Sequence, residues 1–346
     1  MRHNNSGFLR GSLFALLLLA SDSSAPFVFA ASPERLDSLY NFITIDLPTP
    51  DGEFGFASLA DINDKAEIAG GFTNSNLGPY GFILDKKIRP TEIRCSKDVV
   101  STAPQSINKH GEIAGFAFVI IERISIPEPP FERRITGLRG FFLDKKGRCT
   151  ILNFPGARLT EATGLNDDGI VVGHYADAAG DFHGFVWDSG LFLTFDVPFA
   201  DATLTAPAGI NNVGQIVGFY FDNNRTESLP NGHAHGFLYD NGTFASFDFP
   251  DSTATIPDDI NDDGLIVGIY GDENLVGHSF LFQDDQFVTF EVPFAGAVST
   301  DVSGLNNRGQ IVGRYVTSNP GDPVNPFLSH GFVATPKRSL KLVANR

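Results

Sequence analysis

The chain has 346 residues and a formal net charge of −16 at pH 7, with 33 Phe, 36 Gly and 21 Pro against one Met and one Trp. Aromatic residues punctuated by Gly and Pro favour many short strands over helices, so the composition indicates an all-β fold. An acidic surface of this size repels phosphate backbones, so we expect no nucleic-acid partner. Such a surface attracts cations or basic partners, or simply keeps the protein soluble.

The N-terminus has the layout of a bacterial export signal. Arg2 and Arg10 supply positive charge, Leu13 to Ala20 form a short apolar run, and Ala30 ends a small-residue cleavage site. This run is too short to span a bilayer, which takes about 20 residues. We therefore expect residues 1–30 to be a signal peptide, the mature protein to be secreted or periplasmic, and no segment to span a membrane.

Two cysteines, Cys95 and Cys149, lie in the exported part of the chain. A disulfide is permitted in that compartment, but the sequence does not show whether these two residues meet. No Cys-x-x-Cys or Cys/His spacing typical of a metal site is present.

One motif occurs six times, with clear copies GINNVGQIVGFY at 209–220 and DINDDGLIVGIY at 259–270. We refer to the Asn that follows Ile or Leu in each copy as the marker asparagine. The marker asparagines, spaced by 45 to 58 residues, are Asn63, Asn108, Asn166, Asn211, Asn261 and Asn306. Repetition with a period of this size is typical of propellers and solenoids.

A second motif follows each copy, as in HGFVWDSGLFLTFDVP at 183–198. Together the motifs give four candidate strands, A to D, in each unit. Asn-x-x-Gly joins A to B, and Asp-Asn-Gly or Asp-Ser-Gly joins C to D, and both are turn signals. Four antiparallel strands in about 45 residues are typical of a β-propeller blade. A β-solenoid or a string of hairpins fits poorly, since a solenoid coil is usually shorter and lacks two tight hairpins.

The sixth unit has strands A, B and C but no convincing D after residues 330–333. The missing strand appears at the other end of the chain, where FITIDLP at 42–48 matches FLTFDVP at 192–198. We therefore predict a six-bladed β-propeller of four-stranded antiparallel blades, closed by the N-terminal strand, which removes an exposed sheet edge. The predicted boundaries are a lead-in at 31–41, the propeller at 42–335 and a tail at 336–346, of which Ser339–Val343 is a weaker competitor for the closing strand.

These motifs resemble the HAF repeat, a family of predicted extracellular bacterial repeats with the pattern I-N-x-x-G-x-V-V-G followed by H-A-F-L-W. In the fourth unit the resemblance is carried by Ile210-Asn211, Gly214, Val217-Gly218 and His235-Gly236-Phe237-Leu238. It covers roughly residues 42–334. Gly or Ser stands where the family has Ala, and Tyr80 and Arg139 replace His in the first two units. The resemblance implies export and a propeller-like fold, and it assigns no activity.

Several repeated residues are expected to be structural. Third-strand positions of different blades lie too far from the axis to converge on one metal ion, so we expect the repeated His to make hydrogen bonds within or beside its own blade. These residues are His183, His235, His278 and His330. We expect the Phe two residues after this position to be core, and the Thr six residues before the marker asparagine to be structural.

Function is expected where the copies differ. The segments between strands B and C are longer in units two, four and six, at 117–138, 221–234 and 316–329, and long loops on a rigid scaffold often carry binding. Neutral drift explains them equally well. The ligand-binding candidates are Phe131, Glu132, Arg133 and Arg134 in the first loop, and Asn224 and Arg225 in the second.

Strand A offers a second candidate. Glu161 and Asp301 are the only carboxylates five residues before a marker asparagine, and they fall in opposite blades, three and six. A hydrated Ca²⁺ in the channel takes oxygen ligands of this kind, although two solvated carboxylates explain the pattern as well. No other cofactor is assigned.

Two functions from different classes remain open. The first is an exported, non-catalytic and monomeric binding or scaffold propeller that recognises a glycan, peptide or cell-surface partner through the face bearing the long B–C loops. The alternative is a secreted hydrolase, lyase or lactonase with a divalent cation in the central channel. A structural role in an envelope assembly is a third reading. The sequence carries no nucleophile elbow, H-E-x-x-H, P-loop or EF-hand loop.

Overall fold

A computed structural model of the chain describes residues 33–47, 56–74, 78–126, 131–226, 228–229, 231–321 and 327–338. The predicted signal peptide and most of the predicted tail lie outside these ranges. The described part contains one short helix, α1 (Pro33–Leu39), and strands β1 to β24. Nothing helical in these ranges has the length and apolarity that a membrane span needs.

The strands fall into units that we number as blades in chain order. Blade 1 contains β2 (Phe56–Ile62), β3 (Ile68–Asn74), β4 (Gly78–Leu84) and β5 (Pro90–Glu92). Blade 2 contains β6 (Val99–Ile107), β7 (Ile113–Ile126), β8 (Phe131–Leu143) and β9 (Cys149–Leu152). Blade 3 contains β10 (Leu159–Leu165), β11 (Val171–Ala176), β12 (Phe182–Asp188) and β13 (Leu191–Phe195).

The second half repeats this order. Blade 4 contains β14 (Leu204–Ile210), β15 (Ile216–Phe221), β16 (Ala234–Asp240) and β17 (Thr243–Phe247). Blade 5 contains β18 (Ala254–Ile260), β19 (Ile266–Gly271), β20 (Gly277–Gln283) and β21 (Gln286–Phe290). Blade 6 contains β22 (Ala297–Leu305), β23 (Ile311–Ser318), β24 (Phe327–Pro336) and β1 (Tyr40–Ile45).

Each blade is an antiparallel sheet in the order A-B-C-D, which confirms the predicted all-β propeller. Blades 4 and 5 are also joined in strand pairing by one parallel pair, Ala234 with Ala254. The A strands of neighbouring blades contact one another, including β2 with β22, so they line the channel and the D strands lie outermost.

The N-terminal strand closes the ring as predicted. β1 pairs antiparallel with β24, with Phe42 opposite Ala334 and Thr44 opposite Phe332. The strand begins at Tyr40, two residues before the predicted boundary. The lead-in also contains α1, whose Leu36 packs with Tyr40 in the core of the last blade. The closing strand therefore fills the outermost position of the blade, beside β24.

The repeated Phe is core, as predicted, and it explains a repeated Gly on strand B. The six Phe rings are at most 1% exposed; they belong to Phe82, Phe141, Phe185, Phe237, Phe280 and Phe332. A Cβ added at Gly218 would stand 2.3 Å from the Ala206 oxygen and 2.9 Å from the Phe237 ring. Only Gly lets strand B approach strand A and the Phe ring this closely.

The repeated Thr links neighbouring blades. The Thr205 hydroxyl of blade 4 accepts a hydrogen bond from the backbone N–H of Val197, which follows the last strand of blade 3, at 3.1 Å. Thr255 and Thr300 accept equivalent bonds from Phe249 and Val292. The structural role predicted for these Thr residues is therefore confirmed.

Two of the three predicted long loops are extended hairpins, so that part of the prediction was wrong. In blade 2 the ladder between β7 and β8 continues from the pair of Ile113 with Leu143 to the pair of Ile126 with Phe131. In blade 6 it continues to Ser318 opposite Phe327. Residues 117–126 are rich in β-branched side chains, which favour pairing over looping. In blade 4, β15 ends at Phe221 and β16 begins at Ala234, so a loop does join them.

Cys95 and Cys149 form a disulfide, which the sequence left open. Cys95 follows the outermost strand of blade 1, and Cys149 begins the outermost strand of blade 2. The bond therefore joins two neighbouring blades at the rim.

Candidate functional site

The marker asparagines form a closed ring of hydrogen bonds at the end of the channel where strands A turn into strands B. Each side-chain Nδ2 donates to the backbone oxygen of the marker asparagine in the next blade, at 2.9 to 3.4 Å. The side-chain oxygen of the same residue fixes its own turn: Asn63 Oδ1 accepts from the N–H groups of Lys65 and Glu67. This ring constricts the channel to a cavity of about 60 Å³.

A larger cavity of about 460 Å³ lies in the channel on the other side of this ring, towards the B–C connections. Residues of all six A strands line it, together with residues of strand B that follow the repeated Gly. We refer to this space as the channel cavity. Its volume falls in the range of about 300–1,000 Å³ that small-molecule sites occupy.

A β-bulge decides which strand A residues face the channel cavity. In every blade the pairing of A with B shifts at the residue three before the marker asparagine. The bulge residues are Ala60, Gln105, Thr163, Ala208, Asp258 and Ser303, and all of them line the channel cavity. Bulges commonly re-aim a side chain next to a functional site, and here they place one residue of each blade at the axis.

The walls of the channel cavity are largely apolar. Phe116, Phe219 and Ile256 line it, together with Pro104 and Pro207. Phe116 and Phe219 occupy the same register, directly after the strand B Gly of blades 2 and 4. Aromatic and proline faces of this kind suit the apolar faces of a ligand ring.

Few polar groups in the channel cavity are available to a ligand, because several are engaged with backbone. The Thr163 hydroxyl donates to the Pro207 oxygen at 2.8 Å, and the Ser303 hydroxyl donates to the Leu59 oxygen. Ser58, Asp258 and His174 remain: within the described part of the chain the Asp258 carboxyl has no hydrogen-bond partner, and His174 Nδ1 is buried without one.

Acidic groups dominate one side of the channel. Burial and the charge of Asp301 raise the pKa of Asp258 well above its usual range. Burial likewise raises the pKa of Asp61 and of Asp259, and the charge of Asp61 adds to the shift at Asp259. Asp61 Oδ2 accepts from the Ser106 hydroxyl and from the Ile107 N–H of blade 2. Burial therefore favours the protonated, uncharged form of these carboxyls.

The structure gives both predicted metal-binding carboxylates a basic neighbour within their own blade. Glu161 lies opposite His174, with 3.8 Å between Oε2 and Nε2. Asp301 Oδ2 accepts a hydrogen bond from Arg314 Nε at 2.6 Å. Within the described ranges there is no group of three His, Cys, Asp or Glu residues arranged to hold a metal ion. The calcium site stays a prediction.

His174 is a site residue that the sequence analysis did not single out. It follows the strand B Gly of blade 3, in the register of Phe116 and Phe219, and lines the channel cavity. Burial lowers the pKa of His174 to about 4, so its ring is neutral at pH 7. Burial also raises the pKa of the neighbouring Glu161.

The predicted loop residues do not gather at one place. Phe131, Glu132, Arg133 and Arg134 belong to β8, and their backbones pair with residues 123–126; their side chains are outside the described part. Asn224 and Arg225 are exposed in the blade 4 loop. Asp222 organises that loop, because its Oδ1 accepts from the N–H groups of Asn224 and His233.

The repeated His is held within its own blade, as predicted. His183 Nδ1 contacts the Asp196 carboxylate on the strand D side at 2.9 Å, and His235 contacts Asp248 in the same way. His278 pairs with Glu291, and His330 with Asp46 beyond the closing strand. Each imidazole also packs against the Tyr of strand B.

Register comparison is the signal that finds the channel residues. Asp258 and His174 each differ from their counterparts in the other copies, and both positions become comparable once strands A and B are aligned on the marker asparagine and the strand B Gly.

No protein-family model matches the chain, and no curated protein matches it. Among solved structures, the chain is similar to the β-propeller domain of the Trilobed protease from Pyrococcus furiosus, at 12% identity and a TM-score of 0.44, over 83% of this chain and 99% of that one. It is similar to TolB from Acinetobacter baumannii, at 15% identity and 0.47, over 71% and 61%. It is also similar to a gluconolactonase from Xanthomonas campestris, at 10% and 0.45, over 86% and 90%. Nothing about ligand or activity follows from these likenesses.

Proposed function

We propose that this protein is an exported, non-catalytic binding propeller that takes an uncharged, hydroxyl-rich ligand, such as a neutral saccharide, into the channel cavity. The observation that carries the proposal is the channel cavity itself, with its apolar walls and its few unengaged polar groups. The disulfide is compatible with export, because such bonds persist in oxidising compartments.

The chemistry of the lining supports a neutral ligand. Phe116 and Phe219 offer faces on which the C–H face of a sugar ring can pack, and Asp258 and His174 offer polar atoms to its hydroxyls. Arg314 donates to Asp301 at 2.6 Å, so its charge is already engaged where an anionic ligand would need it. The net charge of −16 also disfavours an anionic ligand.

The B–C connections lie on the open side of the channel cavity and support the same site. The hairpins of blades 2 and 6 and the loop of blade 4 rise from alternate blades. Arg123 on the blade 2 hairpin contacts Asp98 of the preceding D–A connection at 2.9 Å, which holds that hairpin in place. A ligand larger than the channel cavity would extend towards these segments.

The proposal is tested by titrating residues 31–346 with neutral oligosaccharides and with matched uronic-acid oligosaccharides. We expect a neutral saccharide to bind, and Phe219→Ala to weaken its Kd about tenfold, which corresponds to about 1.4 kcal/mol. The control is Leu193→Ala, which removes an apolar side chain that is 70% exposed on the outer strand of blade 3. Binding of only the acidic oligosaccharides, or equal Kd values for Phe219→Ala and wild type, would overturn the assignment.

A second variant separates the channel from the blade 2 hairpin. Replacing residues 121–135 by Asn-Gly shortens that hairpin while retaining the ladder up to the pair of Ile120 with Thr136, and Asn-Gly suits a two-residue turn. We expect this variant to retain binding of a short saccharide. If it abolishes binding while Phe219→Ala does not, the ligand site is the hairpin.

A further inference from the structure

The disulfide occupies a position that carries an aromatic contact elsewhere in the ring. Phe154 follows the last strand of blade 2 and contacts Phe192 of blade 3, with ring centroids 5.3 Å apart. Phe249 and Phe287 make the same contact between blades 4 and 5, at 5.1 Å.

The sheet ladders place the two cysteines at the same register positions as the two aromatic residues of these contacts. Cys149 is equivalent to Phe192, because each lies two residues before the strand D partner of the repeated core Phe of its blade. Cys95 is equivalent to Phe154, because each lies three residues after that partner. At the interface of blades 1 and 2, a covalent bond therefore replaces a packing contact.

The same interface lacks a second repeated link. The residue after each marker asparagine donates its backbone N–H to the side chain of its counterpart in the next blade, as Asp167 does to Asn212 and Asn212 to Asp262, both at 2.8 Å. Such bonds join five of the six steps in the described part. The exception is the step from Asp64 to Lys109, because an ammonium group cannot accept a hydrogen bond.

Blades 1 and 2 also lack the His–carboxylate pair that the other four blades have. Tyr80 and Arg139 occupy the His position, and the ladders place Arg94 and Asn153 at the position of the carboxylate. These two blades therefore hold their outer strands with fewer repeated polar contacts, on both sides of the interface that the disulfide joins.

A reductant can approach the disulfide from the surface. A groove of about 420 Å³ next to it is lined by Cys95, Arg94, Lys97 and Tyr80. Both cysteines are partly exposed. Cationic neighbours such as Lys97 favour the thiolate that thiol–disulfide exchange requires.

We propose that the Cys95–Cys149 disulfide is a redox-controlled latch, whose reduction by a dithiol opens the propeller at the interface of blades 1 and 2 before any other interface. A dithiol thiolate attacks one sulfur to form a mixed disulfide, and its second thiol then displaces the protein sulfur. The protein gains two electrons and two protons as two thiols, and the reductant becomes a disulfide. Opening there also disturbs the channel cavity, since Pro104 and Gln105 of β6 line it.

Hydrogen exchange on residues 31–346, with and without dithiothreitol, tests the latch. We expect reduction to speed exchange at least tenfold in β6 and in its neighbour β2, and to leave β14 and β18 unchanged. Equal acceleration in all blades, or no acceleration in any blade, would overturn the proposal.

Two double variants make the test independent of reductant. Cys95→Ser with Cys149→Ser should reproduce the fast exchange in β6. Cys95→Val with Cys149→Phe installs the residues found at this register between blades 3 and 4, Val197 and Phe244, and should restore slow exchange that no longer responds to dithiothreitol. If exchange in the Val/Phe variant is as fast as in the Ser/Ser variant, the register equivalence is wrong and the proposal fails. If the Ser/Ser variant does not fold, the wild-type comparison decides.

Discussion

Asn306 Nδ2 donates a hydrogen bond to the backbone oxygen of Asn63 at 2.9 Å, although 243 residues separate the two in sequence. This bond joins blade 6 to blade 1 and completes the ring of marker asparagines. Closure therefore occurs twice, at the rim through pairing of β1 with β24 and at the axis through the amide ring. Because each amide also fixes its own turn, the repeat motif that shapes a blade also joins it to the next one.

Removing one donor from the ring of marker asparagines should lower the free energy of unfolding by a measurable amount. Asn306→Asp keeps an oxygen for the turn but faces the Asn63 carbonyl with a second acceptor, so we expect the free energy of unfolding to fall by about 1–3 kcal/mol. Asn306→Ala should cost more, because the N–H groups of Arg308 and Gln310 also lose their acceptor. Urea denaturation measures both. Arg308→Ala, at an exposed position of the same turn, is the control, and a loss at Arg308 equal to that at Asn306 would show that the ring adds nothing.

We expect Ala substitutions at two adjacent strand B glycines, Gly70 and Gly71, to differ strongly in their effect on stability. A Cβ at Gly70 would stand 2.4 Å from the Ser58 oxygen and 2.7 Å from the Phe82 ring, whereas a Cβ at Gly71 would meet only the Tyr80 oxygen at 3.7 Å. We expect Gly70→Ala to destabilise by about 2–3 kcal/mol through overpacking. Gly71→Ala should be neutral or stabilise by up to about 1 kcal/mol, by reducing the freedom of the unfolded chain. Similar melting temperatures for the two variants would contradict the packing account.

Because the pKa of Asp258 is raised in the folded state, we expect the free energy of unfolding to fall as the pH rises. Burial and the charge of Asp301 raise the pKa of Asp258 in the folded state, so between its unfolded pKa and its folded pKa the native protein holds a proton that the unfolded chain has released. The contribution of Asp258 to the free energy of unfolding is therefore fully present at low pH and declines as the pH increases. Asp258→Asn should flatten this slope in urea midpoints measured from pH 4 to pH 8, and any remaining slope of the same sign is expected from Asp61 and Asp259. An unchanged slope would show that Asp258 is ionised without cost.

The pair of His235 with Asp248 is expected to contribute stability that is lost as the pH rises through the folded-state pKa of His235. The hydrogen bond to Asp248 raises the pKa of His235, with a smaller contribution from Asp222. Stability from protonated His235 is therefore complete below its unfolded pKa and is lost as pH rises through the folded pKa. Because Asp248 is half exposed, we expect His235→Gln to cost only about 1 kcal/mol at pH 5.5 and less at pH 9. The same change at the exposed His110 is the control, and equal losses at both pH values would contradict the pairing.

Sequence alone predicted the parts of the fold that depend on repetition. Hairpin turns, the core Phe and the closing strand at 42–48 each follow from a pattern that recurs with fixed spacing. The His contacts were also predictable, because third-strand positions of different blades cannot meet at the axis.

Alternation along strand A does place Asp258 on the same side as Ile256, two residues before it, and both line the channel cavity. Asp258 was still not predicted, because the cavity exists only where six blades meet at the axis, which the pattern of one strand does not show. The marker asparagines were interpreted only as turn formers, since a bond such as that from Asn63 to Asn108 depends on blade-to-blade distance. The blade 2 hairpin was taken for a loop because insertion length carries no information on pairing.

A crystal structure of residues 31–346 with the tightest-binding neutral saccharide would test the central claim most directly. We predict saccharide density inside the channel cavity, packed against Phe219 and within hydrogen-bond distance of Asp258. Density confined to the blade 2 hairpin, or to the face that carries the asparagine ring, would contradict it.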